Sequence, residues 1–227
     1  MPKAEFIPQA VIFDMDGVII DSMPYHFLAW YEALRPYGVR VSCFEVYSKE
    51  GEKWEKTLKD LLALSGLKPT SKLLAEIFSS RQRIFKKLFR RFIFKGAREF
   101  LLSLQRQGYV LALVTGSPIK EVHKILPPEI ISLFKVIVAG DQVKKGKPDP
   151  APYLKASRLL KSRPNQCLVV ENAPLGIESA KRAGMFCVAV TTSLPREYLK
   201  KADIIVNKLQ DIPGLLKPSC AKLSAKV

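Results

Sequence analysis

The stretch Val11-Ile-Phe-Asp-Met-Asp-Gly-Val-Ile-Ile-Asp-Ser22 constrains this chain more than any other. The apolar run Ala10 to Phe13 reads as a buried parallel strand. It stops at two carboxylates, Asp14 and Asp16, followed by Gly17. In an open α/β sheet, ligands bind just beyond the carboxyl ends of the strands, so both carboxylates are placed to meet one. Two neighbouring carboxylates repel and call for a cation or a shared proton. If a phosphate is also present, magnesium suits such hard oxygen ligands. One carboxylate can then attack phosphorus and the other can move protons. The plainer alternative is a strand followed by an Asp-Gly turn. The complete string at a strand end favours chemistry over a turn.

After Ser22 the periodicity changes from strand to helix. Helices are expected over Tyr25–Leu34, Glu50–Leu64 and Ser71–Arg91, with no strand between Ser22 and Phe92. From Ala97 the pattern alternates. Helices are expected at Ala97–Gln107, Pro118–Leu126, Ala151–Leu160 and Leu175–Ala183. Strands are expected at Val110–Val114, Val136–Val138, Leu168–Val170, Phe186–Val190 and Ile204–Val206. Repeated strand–helix units imply an α/β fold, a Rossmann-like parallel sheet with helices on both faces. An all-helical insert interrupts it. The expected division is a core of residues 1–22 and 93–227, with an inserted domain at 23–92. The polar tail after Leu216 is expected to fray.

Three further segments follow expected strands. Thr115-Gly116-Ser117-Pro118 leads into a helix, with Ser117 suited to cap it and Pro118 to its first turn. The free N–H groups of such a helix start, near Gly116 and Ser117, can also hold phosphate. Lys147 precedes Pro148 and is expected in an extended loop, where its ammonium can neutralise phosphoryl charge. Asp149 is expected to cap the next helix, with Pro150 at its first position, and Asp141 reads as a turn residue. Glu171 and Asn172 end the run Leu168–Val170, and Asn172 can serve as an N-cap before Pro174.

Together FDMDGVIIDS, Val114-Thr115-Gly116-Ser117, Lys147-Pro148-Asp149-Pro150 and Val169-Val170-Glu171-Asn172 resemble the four motifs of the haloacid dehalogenase superfamily. The similarity is greatest to its β-phosphoglucomutase and phosphoglycolate-phosphatase-like branch, and it covers most of the chain. The resemblance implies that Asp14 is a nucleophile and Asp16 an acid–base. It implies that Thr115 and Lys147 hold the phosphoryl group, and that the helical insert is a cap closing over the site. It implies Mg2+ as cofactor, held by Asp14, the Asp16 backbone carbonyl and Asn172, with Glu171 holding a metal-bound water or ligating directly. Family members commonly carry two acidic residues where this chain has Glu171 and Asn172, so weaker magnesium binding is expected. His26 matches a histidine that mutases link to the acid–base aspartate, though many phosphatases share the segment. Trp54 and Ile119 fall where mutases place polar sugar contacts, which weakens the mutase alternative.

Charge leaves the partner open. The 227 residues carry 37 basic and 21 acidic side chains, a net charge of +16. That suits nucleic acid, an anionic membrane surface or an anionic substrate. Lys53, Lys56, Lys59, Arg81, Arg83, Lys86, Lys87, Arg90 and Arg91 crowd the insert and read mainly as solvated faces. No apolar run approaches the roughly 20 residues that span a bilayer, and Met1-Pro-Lys-Ala-Glu has no signal-peptide pattern. Cys43, Cys167, Cys187 and Cys220 show no CxxC spacing, so a reducing cytoplasm is expected. The expected protein is a monomeric phosphatase of a small phosphorylated metabolite, with no membrane or specific nucleic-acid partner. A sugar-phosphate mutase is the first alternative. A basic nucleic-acid-binding protein with a retired site is the second.

Overall fold

The structure is a computed structural model and describes residues 8–212. The tail after Leu216 and Cys220 lie outside the described residues. Strands β1 (Ala10–Phe13), β2 (Val110–Val114), β3 (Val136–Val138), β4 (Cys167–Glu171), β5 (Phe186–Val190) and β6 (Ile204–Val206) form one sheet. Its order is β3-β2-β1-β4-β5-β6, and every neighbouring pair is parallel. All residues of β1 and β4 are buried, which is why these strands read as unbroken apolar runs.

Alternate side chains of each strand feed two cores. Val11, Phe13, Leu111, Leu113 and Val170 pack beneath helix α5 (Ala97–Arg106) through Phe100, Leu101 and Leu104. Ile12, Ala112, Val114 and Val169 face the other way, onto Tyr153 and Ala156 of α8 (Ala151–Leu160) and Ile177 of α9 (Pro174–Arg182). Helices α6 (Ile119–Ile125) and α7 (Pro128–Ile131) link β2 to β3. The strand order reverses between β1 and β4, and such a switch point opens a crevice at the carboxyl ends. Phe13 pairs with both Leu113 and Val170, so the residues following all three strands converge on that crevice.

The insert between β1 and α5 contains α1 (Met23–Leu34), α2 (Cys43–Tyr47), α3 (Trp54–Leu64) and α4 (Ser71–Leu88). It has its own core of Trp30, Leu34, Leu58, Leu61, Leu62, Leu74 and Ile77. Its entering and returning connections lie side by side, joined by an antiparallel bridge between Ile20 and Ile93. The short α2 was overlooked in the sequence, although Ser42 and Glu45 form the capping box that announces it. Helix α3 starts at Trp54 rather than Glu50, because Gly51 has φ +81° and turns the chain. Helix α4 stops at Leu88 instead of continuing to Arg91. There the Arg90 guanidinium takes up the carbonyls of Lys87, Leu88 and Phe89. Arg91 instead bonds the carbonyls of Lys124 and Ile125 beneath α6. Among the described residues, no helix is long and apolar enough to cross a membrane.

Candidate active site

Asp14, Asp16, Thr115, Lys147, Glu171 and Asn172 come together at the switch point, each nearly or wholly buried. Lys147 Nζ donates to Asp14 Oδ1 at 2.5 Å and to Glu171 Oε1 at 2.6 Å. Glu171 Oε1 also accepts from Tyr153 OH at 2.7 Å, and its Oε2 accepts the backbone N–H groups of Asn172 and Ala173. Both oxygens of Glu171 are therefore engaged within the protein. Asn172 differs. Its Nδ2 donates to Ser193 Oγ at 2.8 Å, and its Oδ1 is left free. Among the described residues, the buried side-chain polar atoms without a partner are Asp14 Oδ2, Asn172 Oδ1 and Arg81 Nε. Buried oxygens are rarely left unmatched, and two in one carboxylate–amide pair fit the oxygen donors that magnesium takes. Gly17 (φ +81°) passes against Asn172 and Ser193, where a Cβ would overlap both side chains. Its carbonyl accepts from Thr192 Oγ1 at 2.5 Å.

Asp16 has a different setting. Its Oδ1 accepts from Ser22 Oγ at 2.6 Å and lies 3.1 Å from His26 Nε2. Its Oδ2 is 3.3 Å from Thr115 Oγ1 and 3.4 Å from Ser117 Oγ. Behind His26, Arg81 Nη2 bonds Nδ1. A guanidinium can only donate, so Nδ1 accepts and the ring proton sits on Nε2, directed at Asp16. The His26 ring stacks on Phe85 at 4.6 Å between centroids, and Arg81 lies over the Trp30 and Phe85 rings.

The two aspartates are shifted in opposite directions. Burial pushes the Asp14 carboxyl well above the usual carboxylate range. The Lys147 ammonium offsets part of this, while Glu171, Asp16 and Glu50 add to the rise. Burial acts the same way on Asp16, but the hydrogen bonds from His26, Ser22 and Thr115 outweigh it and hold the carboxyl low. Burial also disfavours the Lys147 ammonium, yet Asp14 and Glu171 raise its pKa overall.

Several residues stand elsewhere than the sequence suggested. Ser117 does not cap α6. The Ile119 N–H bonds Asp141 Oδ1 at 3.1 Å instead, so the expected turn residue does the capping from a neighbouring loop. Asn172 does not cap α9, whose N-cap is Ala173. Asp149 Oδ1 does accept from Ala151 N–H, but Pro150 precedes the helix rather than starting it. Of the cationic side chains read as solvated, Lys53 reaches across to the carbonyls of Gly140 (2.5 Å) and Val143 (3.0 Å). Arg81 and Arg91 likewise bond inward. Arg81, Tyr153 and Ser193 were missed. Arg81 was hidden in a basic run, and the other two carry no local signal.

Between insert and sheet lies a cleft of about 640 Å³ that runs from His26, Gly116 and Ser117 to Trp54 and Phe89. Gly51 lies against Gly116 and Lys147, so the insert is closed down over the site.

Comparison with known proteins agrees with this architecture. The chain is 31% identical over 205 residues to a validoxylamine A 7′-phosphate phosphatase of Streptomyces hygroscopicus subsp. limoneus, covering 90% of this chain and 95% of that one. It is 31% identical over 211 residues to a β-phosphoglucomutase of Bacillus subtilis, covering 90% and 91%. The crystal structure of a hydrolase from Pseudomonas syringae superposes with a TM-score of 0.81 over 91% of this chain and 96% of that one; at 23% identity it speaks for the fold alone. Residues 11–190 match the profile of the haloacid dehalogenase-like hydrolases. With that match spanning β1 to β5 and every strand-end residue named above, the chain belongs to the haloacid dehalogenase-like hydrolases.

Proposed function

We propose that this hydrolase is a magnesium-dependent phosphatase of a small phosphorylated metabolite, working through an aspartyl-phosphate on Asp14. The observation that carries the reading is the Asp14 carboxylate. It is held on one oxygen by Lys147 and left without a partner on the other, and the buried Asn172 amide oxygen is likewise unpartnered. Asp14, the Asp16 backbone carbonyl and Asn172 would hold magnesium, while Glu171 positions Lys147. When bound, the metal would offset charge on Asp14 and the phosphoryl oxygens, bringing the Asp14 carboxyl down into its ionised form.

The Asp14 carboxylate attacks phosphorus, and the bond to the leaving oxygen breaks. Asp16 gives that oxygen its proton. Asp16 is held low without substrate, and an anionic phosphoryl group beside it raises its affinity for the proton it delivers. Asp16 then takes a proton from water. The water oxygen attacks phosphorus, the bond to Asp14 breaks, and phosphate leaves. Thr115, Lys147 and the N–H groups at Gly116 and Ser117 hold the phosphoryl oxygens. His26, fixed by Arg81, positions Asp16. The unpaired Cys43, Cys167 and Cys187 suit a reducing cytoplasm. The +16 charge is expected to give only weak, salt-sensitive binding to nucleic acid.

The test is free-phosphate release from a panel of phosphorylated metabolites, with and without magnesium. Magnesium-dependent release that Asp14→Asn abolishes, in a variant with unchanged circular dichroism, is the expected result. Isomerisation of glucose 1-phosphate without release would replace this reading with a mutase. Residual turnover in Asp14→Asn would remove Asp14 as nucleophile.

A further inference from the structure

The cleft that reaches the site at His26, Gly116 and Ser117 is larger than a phosphoryl group needs. Its volume of about 640 Å³ falls in the range, roughly 300–1,000 Å³, of pockets that enclose drug-sized ligands. One wall is aromatic. Trp54 and Phe78 stack at 3.8 Å, with Trp30 beside Phe78 at 6.5 Å. Phe85 and Phe89 continue the wall, stacked at 5.1 Å. Trp54, Phe78 and Phe89 are only half-buried, and all five rings line the cleft.

A sugar ring is recognised by a fan of free polar groups, and here several of the lining groups are already engaged. Lys49 pairs with Asp60, and Lys53 bonds the carbonyls of Gly140 and Val143. Glu52 is taken by Lys56 and Thr57, and Glu121 by Lys124. Glu55, Gln82, Arg83 and Lys86 are unpaired but exposed at the rim. Glu50 differs, because it is half-buried within the field of Asp16, His26, Lys147 and Arg81, and its carboxylate has no hydrogen-bond or ion-pair partner among the described residues. A carboxylate accepts hydrogen bonds and repels a second anion.

We propose that this cleft selects phosphomonoesters whose leaving group carries a flat aromatic or heteroaromatic ring, with a hydroxyl or amine between ring and ester that donates to Glu50. The ring stacks on the Trp54–Phe78 wall, and the phosphoryl group lies over Asp14. The inference rests on the phosphatase reading for the reaction and names its substrate class.

The test compares primary-alcohol esters of equal charge with the magnesium-loaded enzyme. Phenethyl phosphate and nucleoside 5′-monophosphates form one set, and hexose 6-phosphates and glycerol phosphate the other. The aromatic set is expected to have a kcat/KM roughly tenfold or more higher, carried mainly by KM, as ring stacking supplies. Trp54→Leu should lower the aromatic-to-hexose ratio by a similar factor, and Trp54→Phe should recover most of it. Glu50→Gln should cost the nucleoside esters more than phenethyl phosphate.

A binding readout stands apart from turnover. Both of the chain's two tryptophans line the cleft, so intrinsic fluorescence reports its occupancy. In the Asp14→Asn protein, phenethyl phosphate should change that fluorescence at concentrations where hexose 6-phosphate does not. Higher kcat/KM for the hexose esters, or fluorescence that responds to hexose 6-phosphate and not to phenethyl phosphate, overturns the proposal. If no ester releases phosphate, the phosphatase reading fails, and the fluorescence titration alone decides the ring preference.

Discussion

Replacing Asn172 by Asp puts a carboxylate where the chain has an amide, with almost no change in shape. Asn172 is fully buried, and its Oδ1 has no partner. Ser193 is already at hand and can turn its hydroxyl to donate where it now accepts. The change is therefore almost purely one of charge. A unit charge about 4 Å from a divalent ion, at an effective dielectric near 20, is worth on the order of 8 kcal/mol. Desolvating the new carboxylate costs several kcal/mol of that. A net gain of about 1.5–3 kcal/mol remains, equivalent to roughly 10- to 100-fold tighter magnesium binding.

Without metal the sign reverses. Asp14 and Glu171 already share one ammonium, Lys147, so a further buried carboxylate should lower the stability of the metal-free protein by about 1–3 kcal/mol. The assays are calorimetric titration of magnesium into free enzyme and thermal melts across a magnesium series, for both forms. The variant should melt lower without magnesium, bind magnesium more tightly, and gain more from saturating metal. Turnover need not rise. Magnesium affinity within about twofold of the parent would place Asn172 outside the coordination shell and refute the reasoning.

Lys147→Met leaves Asp14 and Glu171 buried without their shared cation, and should cost about 3–5 kcal/mol in urea unfolding as well as all turnover. Arg81→Met frees the His26 tautomer and should reduce kcat with little loss of stability, shifting the acid limb of the pH–rate profile; an unchanged profile would remove Arg81 from the Asp16 relay. Lys53→Met removes two bonds between the insert and the carbonyls of Gly140 and Val143, so KM should rise through weaker closure; solution scattering should show a more open particle. Burial pushes the Cys167 thiol up to about 11. The unfolded chain therefore loses that proton first, and stability should fall by about 1.4 kcal/mol per pH unit as pH rises from 9 towards 11. Cys167→Ala should flatten that part of the curve.

The sheet and the strand-end residues were legible in the sequence for a local reason. A strand buried on both faces must be an unbroken apolar run, and the residue that ends such a run stands at the crevice. Asp14, Thr115 and Glu171 each sit within one residue of the last apolar position of a strand, so no long-range knowledge was needed to find them. The insert was legible too, because three of its helices carry a one-sided apolar stripe.

The tertiary structure decided how those residues divide the work. Glu171 and Asn172 are neighbours in sequence, but Glu171 turns to Lys147 and Tyr153 while Asn172 turns to Ser193. Arg81 lies 55 residues from the histidine it orients, and Asp141 caps a helix start 22 residues away. Glu50 meets the aspartates only because Gly51 turns the chain down onto the sheet. Hydrogen bonds at such separations leave no periodicity, and a polar side chain shows no partner until the backbone has brought the two together.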